Sequence, residues 1–187
     1  MPSESAVPVS TESPPEAGAA SAPVVVMLCT GNAARSVMAG AMAAHAPGIT
    51  VTSAGTHVVE HQPMSVRTRD ALTLVGVEVP KHRSRQFTEA DAQSATLVVA
   101  MAGEHVHYVR RRHPSAAAKT ATIAWLAAHL PPGPTPLAER VAALGLDRLD
   151  PDEQDDVADP AGGTDDVYVA CARQLVVLVE QLLARVG

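Results

Sequence analysis

Val24-Val25-Val26-Met27-Leu28 is the first sustained apolar run of the chain, and it predicts a strand covered on both faces. Ser36 to about His45 then reads as a helix stopped by Pro47-Gly48, with Ala39, Gly40, Ala41, Ala43 and Ala44 permitting close packing on a sheet. Ile49–Ser53 alternates apolar and polar residues, the pattern of a second strand. Pro63 suits a helix start, with Gly76 as its C-terminal cap. Leu97–Ala100 is continuously apolar and predicts a fully buried strand, followed by a helix over Glu104–His113 that Pro114 ends. Thr120–Ala124 is a fourth strand candidate, while Trp125–Leu130 also fits a helix; a short helix over Leu137–Leu144 follows. The last helix starts at Thr164, carries Asp165 and Asp166 in its positive first turn, and runs to about Arg185. Strands alternating with helices imply βαβ units and an α/β fold on a mostly parallel sheet.

The length of 187 residues suits one domain plus a tail. Residues 1–22 are mainly Pro, Ser, Ala and Glu with almost no large apolar side chains, and are expected to be disordered, leaving the folded domain at 23–187. Pro131-Pro132-Gly133-Pro134-Thr135-Pro136 is a second candidate for low order. A net charge of −6 argues against nucleic acid as a partner. The two cysteines cannot build a disulfide framework, and the chain has neither a signal-peptide pattern nor an uninterrupted membrane-spanning run. A cytoplasmic location, away from the membrane, is expected; a reducing compartment suits thiol chemistry.

The chemistry concentrates in Cys29-Thr30-Gly31-Asn32-Ala33-Ala34-Arg35-Ser36, directly after the first strand. Five small residues between a cysteine and an arginine let the backbone curl around one tetrahedral oxyanion, with the next helix presenting its positive end. The same field favours a thiolate at Cys29, and the planar fork of Arg35 can hold two oxygens. Gly31 is expected to take a positive φ or a close backbone approach, Asn32 to tie the loop to its neighbours, and Ser36 to donate to the sulfur. The eight residues also fit a buried strand-end thiol beside a first-turn surface arginine. Their place at the carboxyl end of a strand favours the oxyanion site.

Cys29-x-Gly31-Asn32-x-x-Arg35-Ser36 resembles the signature of the low-molecular-weight protein tyrosine phosphatases, which pair such a loop with an Asp-Pro general acid near the C-terminus. Asp159-Pro160 matches that pair, and Ser53-Ala54-Gly55-Thr56, His82–Thr88 and Leu97–Met101 follow the family order, so the likeness runs from about Val24 to the end. It implies a three-layer αβα sandwich with a four-stranded, mostly parallel sheet and the phosphate loop between strand 1 and helix 1. It also implies a phosphomonoester hydrolase, by expectation a protein tyrosine phosphatase. Cys29 would attack phosphorus to form a cysteinyl-phosphate. The loop from Thr30 through Ser36, including Ala33, Ala34 and Arg35, would bind the phosphate, and Asp159 would act first as acid and then as base. The loop dipoles and Arg35 supply the positive charge, so no metal or other cofactor is expected. Substrates would be phosphorylated proteins or small aryl phosphates.

Several residues depart from the family pattern. Ala161 and His57-Val58 stand where relatives commonly carry aromatics that wall a phenyl ring, which implies a wider or less selective pocket. Ala33-Ala34 replaces the usual Ile-Cys, and Val37 a common proline. Two other readings stay open. Ser36-Val37-Met38-Ala39 also resembles arsenate reductases of the same fold, which would here need an external small thiol; a non-catalytic oxyanion-binding protein on the scaffold is the third. His57-Val58-Val59-Glu60-His61 has a zinc-peptidase spacing but no third ligand, and the family places this stretch at the pocket rim, where its histidines would touch substrate. Arg110-Arg111-Arg112 fits the C-terminal turn of a helix and Cys171 the apolar stripe of the last one. His82–Arg85 has the charge to bind a further oxyanion, whereas the family resemblance implies a brace for the loops.

Overall fold

A computed structural model describes residues 22–187; residues 1–21, on which nearly all of the expected tail falls, lie outside the described residues. Strand β1 (Val24–Cys29) leads into helix α1 (Arg35–Ala43), then β2 (Thr50–Gly55), α2 (Val66–Leu74), α3 (Glu89–Ser94), β3 (Leu97–Ala100) and α4 (Gly103–Arg112). A 3₁₀ turn over Pro114–Lys119 precedes β4 (Thr120–Thr122), α5 (Ile123–His129), α6 (Leu137–Ala142) and the long α7 (Asp165–Val186). The four strands are parallel in the order β2-β1-β3-β4, so β1 is interior and its C-terminal end opens between two neighbours. Parallel pairing explains the apolar run of β1, because helices cover both faces.

Alternation along β1 sorts its side chains into two layers. Val25, Met27 and Cys29 join the larger core with Met38, Leu72, Leu126 and Leu175, while Val26 and Leu28 pack with Phe87, Ala92, Val98 and Val109. Each fully buried Val, Leu, Met or Phe side chain among them contributes about 2 kcal/mol of transfer free energy. The inward stripe of α7 is Tyr168, Cys171, Ala172, Leu175, Val179, Leu182 and Val186, and the helix packs on α1, α2 and α5. Among the described residues it is the one helix long and apolar enough to cross a membrane by length and composition, but that stripe belongs to the core.

Most boundaries follow local signals. Ser65 caps α2 through Thr68 N, and Gly76 takes φ +76 just beyond its end. Two expectations need correction. The fourth strand ends at Thr122, and Ile123 and Ala124 already belong to α5. The proline-rich connection is also pinned: the Arg140 guanidinium donates to the carbonyls of Pro131 (3.0 Å), Thr135 (2.8 Å), Val186 (2.9 Å) and Arg185.

Candidate active site

The loop between β1 and α1 is a continuation of the sheet. Thr56 N donates to Cys29 O and His57 N to Thr30 O, both at 2.9 Å, so the β1–β2 pairing runs on past the cysteine. The contact is close enough to exclude any side chain at position 55. A Cβ on Gly55 would lie 2.5 Å from Thr30 O and 2.9 Å from Asn32 N. Gly31, by contrast, has open space at its Cβ position and is not among the positive-φ residues. The left-handed conformation falls instead on Asn32, at φ +49, which an asparagine tolerates better than most residues.

Asn32 is fully buried and organises the loop. Its amide nitrogen donates to Ser36 Oγ and Ser53 Oγ at 3.0 Å each, and its Oδ1 accepts from Arg85 N at 3.0 Å. Ser36 Oγ lies 2.9 Å from Cys29 Sγ. Because Asn32 already donates to that hydroxyl, the serine proton is left for the sulfur. His82 Nε2 donates to Asn32 O at 2.7 Å and Thr68 Oγ1 to Ala33 O at 2.9 Å. Burial lowers the pKa of His82, although this hydrogen bond opposes the shift. The His82–Arg85 stretch thus braces the loop: Ser84 Oγ donates to Val59 O, and Arg85 forms a paired contact with Asp91 at 2.8 Å.

Arg35 is the first residue of α1 and is almost wholly buried. Its Nη1 donates to Val157 O at 3.0 Å; its Nη2 donates to Asp159 Oδ2 at 2.6 Å and to Thr30 Oγ1 at 3.2 Å. Asp159 comes from the connection before α7, and its Oδ1 accepts from Ala161 N at 3.0 Å, so the carboxyl is held at both oxygens. Behind Thr30 lies His105, 3.0 Å from its hydroxyl, buried, with Nδ1 unpaired. Burial, reinforced by the Arg35 charge, pushes His105 down to about 3, so the ring is neutral.

Two cavities meet at the Arg35–Asp159 pair. The smaller, about 110 Å³, is lined by Cys29, Gly31, Ala33 and Ala34, with Ser65, Ala161 and Tyr168 around it. The larger, about 480 Å³, lies toward the start of α4 and the 151–159 segment. Cys29, Arg35 and Asp159 are therefore brought together, with the small side chains of the loop as the wall. His57 and His61 line neither cavity, contrary to the expectation of substrate contact; His57 instead meets Tyr108 edge-on and lies 3.1 Å from Thr56 Oγ1. The 57–61 stretch is a loop, and among the described residues no group of three His, Cys, Asp or Glu side chains is placed to hold a metal.

Tyr168, His105 and Gly55 are the site residues that sequence reading missed. Tyr168 sits in the first turn of α7 and carries an aromatic ring to the cavity from a different element than the expected Asp-Pro flank. Cys171 follows it by three residues. It is a core thiol as expected, yet it is close enough for Arg35, Asp159 and Cys29 to act on it; burial pushes it up to about 11.

Comparison with known proteins agrees with this arrangement. The family model described as low molecular weight phosphotyrosine protein phosphatase matches residues 24–131. A protein-arginine-phosphatase of Geobacillus stearothermophilus is 32% identical over 160 residues, which cover 84% of this chain and 92% of that one. A probable low molecular weight protein-tyrosine-phosphatase, EpsP of Ralstonia solanacearum, is 32% identical over 49% of this chain and 63% of its own length. Among solved structures, the YwlE arginine phosphatase of Geobacillus stearothermophilus superposes with TM-score 0.69 at 31% identity over 86% of this chain and 90% of that chain. The low molecular weight protein tyrosine phosphatase of T. tengcongensis does so with TM-score 0.67 at 28% identity, over 86% and 97% respectively. A family model over more than half of the chain, identity along most of the length and a shared fold have one common origin: this chain belongs to the low molecular weight phosphotyrosine protein phosphatase family.

Proposed function

We propose that the protein hydrolyses a phosphorylated protein side chain through a cysteinyl-phosphate, with Cys29 as nucleophile, Arg35 and the loop from Thr30 to Ser36 as the phosphate cradle, and Asp159 as the acid and base. The observation that carries the reading is the meeting of Cys29, Arg35 and Asp159 in one small cavity, with Ser36 Oγ at 2.9 Å from the sulfur. A bound phosphoryl group competes with Asp159 for Arg35 Nη2 and frees the carboxyl to face the leaving atom. Cys29 sulfur then attacks phosphorus in line, the bond to the leaving atom breaks, and that atom takes the proton of Asp159. Water next attacks phosphorus, giving a proton to Asp159; the phosphorus–sulfur bond breaks as the new phosphorus–oxygen bond forms, releasing inorganic phosphate and the Cys29 thiolate. Arg35 and the loop dipoles stabilise the equatorial oxygens throughout.

Phosphotyrosine is the substrate named for several relatives, and Tyr168 offers an aromatic wall that partly replaces those absent at Ala161 and His57-Val58. Phosphoarginine is the second reading, favoured by the protein-arginine-phosphatase that aligns over most of the chain. The test is phosphate release from an aryl phosphate and from phosphotyrosine, phosphoarginine and phosphoserine peptides, beside thiol-dependent arsenate reduction. Turnover of one phosphopeptide class, lost in Cys29→Ser while oxyanion binding survives, is the expected result. Arsenate reduction without phosphate release, or a Cys29→Ser variant within about tenfold of wild type, overturns it.

A further inference from the structure

We propose that the larger cleft sharing Arg35 and Asp159 with the phosphate cavity is a substrate subsite for a lysine or arginine side chain near the phosphorylated residue; this rests on the phosphoprotein reading above. The smaller cavity, about 110 Å³, has room for a phosphoryl group and the start of its side chain, so the surrounding peptide must lie on adjoining surface. The cleft of about 480 Å³ adjoins it through the Arg35–Asp159 pair. Its remaining walls include Glu104 and His107 from the first turns of α4 and Pro151, Glu153 and Asp156 from the connection to Asp159, between small and apolar stretches at 102–103 and 157–158.

The charges in that cleft are not balanced from within. Arg35 is engaged by Asp159 at 2.6 Å, and Asp156 Oδ1 accepts from Gly103 N at 2.7 Å. Glu104 has only His105 at ion-pair distance, 3.3 Å, and burial keeps that ring neutral. Glu153 is exposed and has no cationic partner among the described residues. Asp147, Asp150, Asp152 and Asp155 lie along the same connection, where Arg148 is the sole cation and sits 3.9 Å from Asp147. A walled cleft with surplus carboxylates focuses a negative potential beside a cradle that takes an anion. A phosphopeptide with a neighbouring cation complements both halves, its ammonium or guanidinium at Glu104 and Glu153 and its stem along Pro151.

The experiment measures kcat/KM on phosphopeptides in which one flanking position at a time carries Lys, Ala or Glu, with an aryl phosphate alongside. At one or more positions Lys is expected to exceed Ala by about fivefold, mostly through KM, with Glu below Ala and the spread shrinking as salt rises. Glu153→Lys should reverse the order while aryl-phosphate turnover stays within about twofold of wild type, because its exposed side chain touches neither Cys29 nor Arg35. The same peptides titrated onto Cys29→Ser read the subsite without turnover. A flat series in both assays, or an order that Glu153→Lys leaves unchanged, overturns the subsite. Failure of the wild type to release phosphate from any substrate would instead sink the hydrolase reading.

Discussion

Replacing Asn32 with Ala should damage stability and turnover together, and its cost can be worked from the contacts. Three side-chain hydrogen bonds disappear, each a net contribution of about 1 kcal/mol, and the Arg85 N–H is left without its acceptor. Alanine must also hold the left-handed φ of +49, at a further cost of about 1–2 kcal/mol. The sum, roughly 4–6 kcal/mol, is a large share of the usual stability of a domain and should lower the melting temperature by roughly 10–20 °C. Below that melting point, aryl-phosphate kcat/KM should fall about 100-fold, because Ser36 and the loop backbone lose their common anchor. Asn32→Asp separates the two effects. The carboxylate still accepts from Arg85 N, tolerates the backbone, and can receive protons from Ser36 and Ser53, so less than half of the stability should be lost. Yet it turns the serine proton away from Cys29 and sets an anion inside an anion cradle, so turnover should fall as far as in the alanine variant. Thermal unfolding and initial rates on the same preparations decide the matter. An Asn32→Ala protein melting within about 3 °C of wild type, or an Asn32→Asp protein with near-normal rates, would refute this account of the loop.

Asp159→Asn should slow hydrolysis by about 100-fold or more for substrates with basic leaving atoms and little for activated aryl phosphates, and a uniform loss across leaving groups would count against Asp159 as the acid. Arg35→Lys should fail badly in phosphate affinity, since an ammonium cannot reach Val157 O, Thr30 Oγ1 and a phosphate with one fork; near-normal inhibition by inorganic phosphate would show otherwise. His105 binds its proton far more weakly folded, at about 3, than unfolded, near 6.5, so the unfolded chain takes up the extra proton as pH falls below 6.5 and stability is lost there by about 1.4 kcal/mol per unit. His105→Asn should therefore flatten the acid side of the stability profile in denaturant titrations, and an unchanged slope would remove His105 as its cause. Peroxide should add oxygen atoms to Cys29 without recovery by dithiothreitol, since the nearby Cys171 thiol, pushed up to about 11, is a poor resolving thiolate; a mapped Cys29–Cys171 bridge would contradict this.

The parts of the fold legible in the sequence are those written in neighbouring residues. The apolar runs of β1 and β3 marked buried strands, and Pro47-Gly48, Gly76 and Pro114 marked helix ends. The Cys29–Ser36 spacing and Asp159-Pro160 likewise located the residues that meet in the cavity. Helix α3 also carries a local signal at its start: Thr88 and Asp91, three apart, form a capping box. Other features depend on partners distant in the chain. Gly31 looked like the strained glycine because it lies inside the loop, but the steric demand comes from β2 and falls on Gly55. The prolines at 131–136 suggested low order, and only Arg140 reaching across to the end of α7 shows why they are held. Tyr168 and His105 reach the site from helices whose own periodicity says nothing about which turn faces it.

The continuation of the sheet into the loop has a consequence for how activity is acquired. The Cys29 and Thr30 carbonyls are held by Thr56 and His57, Asn32 is held by His82 and Arg85, and Arg35 reaches Val157, 122 residues away in the chain. Contacts of such wide sequence separation close late, after the entropy of long loops has been overcome. No fragment ending before Asp159 contains both halves of the Arg35–Asp159 pair, so a nascent or partly refolded chain can be compact and helical while still unable to turn over substrate. Recovery of catalytic rate during refolding should then trail recovery of secondary structure, which makes the enzyme's own turnover a reporter of the last docking event.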